Sequence, residues 1–243
     1  MASSGSQTAK LNDFELEYRL APNMVVFSHG FGVRRDSRGM FTDLVRSLPD
    51  GFGYVLFDYD DVVGEGTLRA TYATAQVDRL KQVMAWAKAQ PGVERIGLVA
   101  HSRGCIIAAL ASITSLSAVI LLAPPLVDGH ARRYFTTKPG TVRKGDDWYV
   151  PRSDGTTTII SEGVFQEFED VQREEVVLSY VAKQPACLIV AGADKILDDQ
   201  DYASFEHNPN VSLAAIPGAS HDFDGASRQE LIRLVNNYLQ KSF

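Results

Sequence analysis

Short, strongly apolar runs alternate along the chain with longer stretches whose apolar residues recur every three or four positions. The runs have the length of buried β-strands, and the stretches have the period of amphipathic α-helices. Strands that alternate with helices predict an α/β protein with a mainly parallel sheet and helices on both faces. The predicted strands are 24–28, 53–58, 96–100, 118–122, 188–191 and 211–216, and the clearest predicted helices are 36–48, 70–89 and 226–239.

The beginning of the chain and one later segment depart from this rhythm. Residues 14–20 alternate between apolar and charged side chains, which predicts an early, half-exposed antiparallel strand. Residues 1–10 before it are expected to be a frayed tail. Residues 58–68 are acidic and contain glycine, which indicates a loop.

The longest interruption of the pattern is the segment 126–182, which contains many charges and no clear buried strand. A hairpin with an Asp154-Gly155 turn is expected within it, followed by one or two short helices over 165–180. We therefore predict one domain over residues 1–243, with a cap or lid insertion at about 126–182.

The composition excludes several classes of protein. The 243 residues are 45% hydrophobic and 22% charged, as in an ordinary globular protein. The net charge of −6 gives no electrostatic footprint for nucleic acid, and no apolar run approaches the ~20 residues of a membrane span. Residues 1–7 lack the features of a signal peptide, and Cys105 and Cys187 are expected to be buried, reduced thiols. We expect a cytoplasmic monomer or homodimer that binds neither nucleic acid nor membranes.

One serine stands at the junction of a predicted strand and a helix. The strand 96–100 leads into Ser102, and the apolar run 105–110 leads out. A serine in a tight turn between a strand and a helix is a nucleophile elbow, which needs small residues two positions before and after it. Ala100 and Gly104 meet that need, so the motif is Ala-x-Ser-x-Gly where glycine is usual first. Ser102 is the predicted nucleophile.

Two further side chains complete a predicted catalytic triad. Asp194 follows the strand 188–191, and His221 follows the strand 211–216. Functional residues of parallel sheets gather at the carboxyl ends of the strands. A serine needs a base, a histidine takes up and returns a proton near neutral pH, and an acid fixes the histidine tautomer. The chain order Ser, Asp, His is the one expected for this architecture.

Other acidic residues compete with Asp194 for the third role. Asp194 is preferred because Gly192-Ala193-Asp194 follows directly after an apolar strand. An acid next to the histidine in sequence is poorly aimed to orient its ring, and the remaining competitors lie at another strand end or just downstream. The competitors are Asp58, Asp198, Asp199 and Asp222.

With this elbow and this triad order, the chain resembles serine hydrolases of the α/β-hydrolase fold over residues 24–243. It resembles most the compact esterases with a short insertion, such as cinnamoyl or feruloyl esterases and acyl-peptidase-like hydrolases. The resemblance implies an oxyanion loop at 29–32, whose donors would be the backbone N–H groups of Phe31 and Arg103. One such donor is worth ~3 kcal/mol to a tetrahedral oxyanion.

The glycines of this loop, Gly30 and Gly32, are then expected to lie beside the substrate. The alternative is a tight glycine turn with a structural histidine and no part in catalysis. His29 itself is expected to be structural, because it precedes the nucleophile in the chain. The base of the triad remains the histidine that follows the last strand.

Basic and aromatic residues are candidates for substrate contacts. Arg103 either binds a substrate carboxylate or phosphate, or forms an ion pair with an acid such as Asp222 or Asp61. Arg34, with its neighbour Arg35, either extends a basic rim or is solvated. The insertion begins with basic residues, a solvated face that still leaves anionic substrates open, and its aromatic residues either line an acyl pocket or pack its core. The basic residues are Arg132, Arg133, Lys138, Arg143 and Lys144, and the aromatic ones are Tyr134, Phe135, Trp148 and Tyr149.

The sequence therefore predicts a serine hydrolase that cleaves a small carboxylic ester through an acyl-enzyme. No cofactor is expected, because neither a His/Cys cluster at metal-ligand spacing nor a Gly-x-Gly-x-x-Gly motif occurs. Two alternatives stay open. One is a thioesterase or small amidase that uses the same site, and the other is a non-catalytic, ligand-binding protein with a hydrolase fold.

Overall fold

The computed structural model describes residues 5–127, 130–197 and 200–243. Its strands are β1 (Gln7–Leu11), β2 (Phe14–Arg19), β3 (Asn23–Ser28), β4 (Phe52–Phe57), β5 (Asp61–Gly64), β6 (Thr67–Arg69), β7 (Arg95–His101), β8 (Ala118–Leu122), β9 (Val142–Lys144), β10 (Asp147–Pro151), β11 (Thr157–Ser161), β12 (Ala186–Ala191) and β13 (Val211–Ile216). Its helices are α1 (Met40–Arg46), α2 (Ala73–Lys88), α3 (Arg103–Ala111), α4 (His130–Thr136), α5 (Glu162–Glu169), α6 (Arg173–Val181), α7 (Ala203–Glu206) and α8 (Ser227–Ser242).

Eight strands form the main sheet in the order β1-β2-β4-β3-β7-β8-β12-β13. β1 and β2 run antiparallel at one edge, and the six strands from β4 to β13 are parallel, so the predicted mainly parallel sheet is confirmed. In the central pair, Ser28 of β3 lies opposite Ala100 of β7. This register makes the two loops that follow, at Gly30 and at Ser102, emerge side by side.

Helices cover both faces of this sheet, as predicted. Val26 and Leu98 point into a core formed with α2, α3 and α6, while their neighbours Val25 and Val99 point into a second core formed with α1 and α8. A strand buried on both faces must be apolar at successive positions, which explains the continuous apolar runs. In the described ranges, no helix is long and apolar enough to cross a membrane.

Two predictions about the first fifty residues are wrong. Residues 7–11 are not a frayed tail but the strand β1, which pairs with β2 from Gln7 opposite Tyr18 to Leu11 opposite Phe14. The helix predicted over 36–48 begins only at Met40, because the residues before it turn the chain with positive φ angles. These residues are Ser37, Arg38 and Gly39.

A second sheet of five strands, in the order β5-β6-β11-β10-β9, lies outside the main sheet. Its β10–β11 hairpin and the helices α5 and α6 agree with the predictions for the insertion, and Gly155 turns the hairpin with a φ of +82°. The loop predicted at 58–68 is wrong, since β5 and β6 form a hairpin there and β6 pairs in parallel with β11. All four residues of β5 are exposed, so no apolar alternation marks it in the sequence.

Candidate active site

Ser102 lies at the tip of the turn between β7 and α3, in a backbone conformation that few side chains adopt. Its φ is +52° and its ψ is −126°. A Cβ on Gly104 would lie 2.2 Å from the carbonyl oxygen of Ser28 and 2.7 Å from that of His29, so only glycine fits. Ala100 is fully buried. The steric conditions from which the elbow was predicted are therefore met.

The structure brings Ser102, His221 and Asp194 into one line of hydrogen bonds. Ser102 Oγ lies 2.9 Å from His221 Nε2, and His221 Nδ1 lies 2.6 Å from Asp194 Oδ2. Because a carboxylate can only accept, Nδ1 carries the proton and Nε2 is left to accept from the serine hydroxyl. The other carboxylate oxygen, Oδ1, accepts from the N–H groups of Ile196 and Leu197 at 2.8 and 2.9 Å.

Asp194 is held in its ionised form. Burial alone would raise the pKa of this carboxyl, but the hydrogen bond and charge of His221 and the two backbone N–H groups keep the pKa below its ordinary value. Two competing acids have other partners, because Asp58 accepts from Arg34 and Asp222 pairs with Arg38. The remaining competitors, Asp198 and Asp199, lie outside the described residues.

His101, the residue before Ser102, holds the backbone of His221 in place. Its Nε2 donates to the carbonyl oxygen of His221 at 2.9 Å, and the two rings lie 4.9 Å apart. Burial, and then the charge of His221, lower the pKa of His101 to about 4, so its ring is neutral. Sequence reasoning missed this residue, whose only signal was a polar side chain at the end of a buried strand.

The loop after β3 lies against Ser102. A Cβ on Gly30 would be 3.2 Å from the Ser102 Cβ, so a side chain at this position would crowd the serine. Within the described residues, the backbone N–H groups of Phe31 and Arg103 have no intramolecular acceptor. His29 is buried, and its Nε2 accepts from the N–H of Tyr59 at 2.9 Å, which fits the predicted structural role.

The sequence model described as "Alpha/beta hydrolase family" matches residues 25–234. The chain belongs to this family. Similar solved structures include Est1E from Butyrivibrio proteoclasticus with bound ferulic acid, which has a TM-score of 0.71 and 16% identity over 97% of this chain and 98% of that chain. The esterase domain of a Rhodothermus marinus protein has a TM-score of 0.70 and 19% identity over 98% of both chains.

The α/β hydrolase GrgF from Penicillium sp. sh18 has a TM-score of 0.72 and 17% identity, again over 98% of both chains. These identities are low, so the similarity shows the α/β-hydrolase fold and leaves the reaction open. No curated protein sequence matches the chain significantly. The predicted fold and the predicted resemblance to this family are confirmed.

Above the serine, this hydrolase has a cavity of about 360 Å³ between the main sheet and the insertion. Most of its lining is apolar, and five of the lining residues carry a cationic side chain. Apolar and backbone-lining residues are Gly30, Phe31, Val33, Pro125, Ala131, Tyr134, Phe135, Val164, Phe165, Phe168, Ile196 and Leu197. The polar lining consists of Arg38, His101, Ser102, Arg103, Lys138, Arg152, Ser153, Arg173, His221 and Asp222.

Of the two glycines expected beside the substrate, the structure brings only Gly30 to the cavity. Gly32 turns away with a φ of +62°, and its N–H donates to the buried Asp60 at 3.2 Å. A Cβ on Gly32 would lie 2.8 Å from Thr158 Oγ1, so this glycine permits close packing against β11. The expectation that Gly32 contacts the substrate is thereby corrected.

Arg34 and Trp148 also lie away from the cavity, which corrects their predicted role in substrate binding. The guanidinium of Arg34 forms two hydrogen bonds with Asp58, at 3.0 and 3.1 Å, and its side chain is 47% exposed. The indole N–H of Trp148 donates to Glu162 at 3.2 Å, and the guanidinium of Arg143 lies over its ring. Two other aromatic candidates do line the cavity, namely Tyr134 and Phe135.

Arg103 is buried in the cavity wall and forms no ion pair with the acids considered for it. Its guanidinium lies between the rings of Phe31 and Phe168, with centroid distances of 4.8 and 4.6 Å. Burial lowers its pKa to about 10, although nearby acids oppose this shift. The ion pairs considered for Arg103 do not form, because Asp222 and Asp61 pair with other arginines, Arg38 and Arg79.

Proposed function

We propose that this hydrolase is a serine esterase that cleaves small carboxylic esters through an acyl-enzyme. The observation that carries the proposal is the hydrogen-bonded line Ser102–His221–Asp194 at a cavity of about 360 Å³. A cavity of that size accommodates a small organic ester. Two structurally similar proteins are themselves described as esterases or bind ferulic acid, which favours ester chemistry over other uses of the fold.

The proposed reaction begins with attack of Ser102 Oγ on the ester carbonyl carbon while His221 Nε2 takes the hydroxyl proton. Asp194 holds the ring with Nδ1 protonated and stabilises the imidazolium that forms, and this kind of general base catalysis contributes typically about 10² to 10⁴-fold. The unpaired N–H groups of Phe31 and Arg103 would donate to the oxyanion, each worth ~3 kcal/mol.

The tetrahedral intermediate then collapses as the imidazolium of His221 gives its proton to the leaving alkoxide oxygen. The alcohol departs and the acyl group stays bound to Ser102 Oγ. A water molecule then attacks the acyl carbon while His221 takes its proton. Return of that proton to Ser102 Oγ releases the carboxylic acid and restores the enzyme.

The test combines a rate panel with active-site labelling. Rates are measured on p-nitrophenyl esters from acetate to laurate and on methyl ferulate, for the wild type, Ser102→Ala and the control Ser112→Ala, which changes a serine at the other end of α3. We expect hydrolysis with an optimum chain length, a loss of at least about 10³-fold in S102A, and little change in S112A.

In parallel, a fluorophosphonate should label the wild type and S112A once each, at Ser102, as read by peptide mass spectrometry. Wild-type rates in S102A, or a label on another serine, would contradict the proposed role of Ser102. If the label forms at Ser102 but thioesters react much faster than oxygen esters, the proposed substrate class is wrong and the nucleophile is right.

A further inference from the structure

Three cationic side chains from separate segments meet on one side of the catalytic cavity. Arg38 precedes α1, Lys138 follows α4 and Arg152 follows β10, and we call this group the cationic wall. Among the described lining residues the only carboxylate is Asp222, and Arg38 already binds it at 2.8 Å. Within the described part of the chain, Lys138 and Arg152 of the cationic wall therefore form no ion pair with a carboxylate.

Lys138 has no hydrogen bond or ion pair with any described residue, although its side chain is half-buried. Burial, and then the positive charges of Arg152 and Arg38, lower the pKa of this ammonium group. A partly buried lysine keeps its ammonium group in water at the cavity. The group is therefore free to bind an anion that enters the cavity.

Arg152 uses only part of its hydrogen-bonding capacity. Its Nη2 donates to the carbonyl oxygen of Phe31 at 2.9 Å, and its guanidinium lies over the ring of Phe135 at 5.2 Å. Its Nε is buried and has no acceptor among the described residues. Burial, and then repulsion from Arg38, lower the pKa of Arg152 to about 10. The nearby Asp154 lies outside the cavity lining and accepts from Thr156 instead.

We propose that the cavity selects esters that carry a second, ionised carboxylate group, which Lys138 and Arg152 bind while an apolar chain separates it from the scissile ester. This inference rests on the proposed esterase activity and names its substrate class. Hydrogen bonds between ionised partners are about twice as strong as neutral ones, and the guanidinium plane suits a carboxylate. The remaining lining, with Val164 and Phe165, accommodates the apolar chain.

The test compares each acidic ester with its neutral primary amide. One series, monomethyl succinate to monomethyl suberate, places the carboxylate on the acyl side, and ω-acetoxy acids place it on the alcohol side. Their dissociation constants are measured by calorimetry in Ser102→Ala, where no turnover occurs, and kcat/KM is measured in the wild type. At the best chain length we expect the acid to bind and react about tenfold better than its amide.

Lys138→Met should lower this acid-to-amide ratio several-fold, because only Arg152 then remains to bind the carboxylate, and Lys138→Glu should lower it further. The matched control is Arg133→Met, which removes an exposed cation from the same helix region outside the cavity and should leave the ratio unchanged. A ratio near one at every chain length, or equal ratios in K138M and R133M, would overturn the cationic wall as a binding site.

The two proposals fail in different ways. If the acids bind S102A more tightly than the amides but the wild type hydrolyses no ester and takes no label, the wall is supported and the esterase proposal is wrong. If the wild type hydrolyses acids and amides equally well, the esterase proposal stands and the wall is refuted.

Discussion

Replacement of His101 by glutamine tests whether the buried imidazole beside His221 is neutral in the folded protein. His101 is 2% exposed, and its Nε2 donates to the carbonyl oxygen of His221. A glutamine amide can donate to the same oxygen, so His101→Gln preserves the hydrogen bond but removes the titratable ring. The charged form of His101 would be desolvated and would lie 4.9 Å from the second imidazole ring.

The magnitude follows from the difference between the folded and unfolded states. The pKa of His101 is lowered by burial and by the charge of His221 to about 4, against its ordinary value of 6.5 in an unfolded chain. Below pH 6.5 the unfolded chain therefore binds more protons than the folded one. The stability that is present above pH 6.5 is lost as the pH falls toward 4, by about 3 kcal/mol in total and about 2 kcal/mol by pH 5.

The assay is urea unfolding of the wild type and H101Q at pH 7, 6 and 5. We expect the difference in their free energies of unfolding to shift by about 2 kcal/mol in favour of H101Q between pH 7 and pH 5, because only the wild type carries the titrating ring. His207→Gln provides the baseline for an exposed histidine. A difference that is the same at pH 5 and pH 7 would refute a neutral His101 in the folded protein.

Two further substitutions test the triad and the elbow. In Asp194→Asn, the amide oxygen still accepts from the backbone N–H groups, and the amide NH₂ group faces His221 Nδ1. Nδ1 must then accept, so His221 carries its proton on Nε2, and kcat on p-nitrophenyl butyrate should fall about 10⁴-fold. The control is Asp224→Asn, in the loop that carries His221. A D194N rate within tenfold of wild type would contradict the role of Asp194. Gly104→Ala would bring a Cβ within 2.2 Å of the Ser28 carbonyl oxygen, and thermal unfolding should show a loss of at least about 3 kcal/mol. An unchanged Tm would mean that the elbow relaxes at little cost.

The sequence predicted the sharp turn at Ser102 because the requirements of such a turn are local. Ala100 and Gly104 must be small because the strand and the helix nearly touch there. In the structure, a Cβ on Gly104 would lie 2.2 Å from the Ser28 carbonyl oxygen. Asp194 and His221 were predictable because both directly follow buried parallel strands, whose carboxyl ends meet at one edge of the sheet. These strands are buried on both faces and form continuous apolar runs, so their ends can be located in the sequence.

The substrate-facing residues were not predictable because their positions depend on distant segments. Arg34 and Arg38 belong to one loop, but the positive φ angles at Ser37 and Arg38 turn the chain, so that Arg38 lines the cavity and Arg34 reaches Asp58. Likewise, the second sheet joins β6 to β11 across a long sequence separation. No local period in the sequence records such a pairing, so the strands of residues 61–69 were predicted to be a loop.

The cationic lining also bears on the proposed chemistry of the triad. In the proposed reaction, proton transfer from Ser102 creates an imidazolium at His221, and the charges of Lys138 and Arg152 in the same cavity would oppose it. Asp194 offsets part of this repulsion, and a bound carboxylate would offset more, because charges in a desolvated cavity are only weakly screened. The net charge of −6 acts from the solvated surface and is screened over about 8 Å at physiological salt. On this proposal an acidic ester contributes to its own turnover, so its advantage over the amide should appear in kcat as well as in binding.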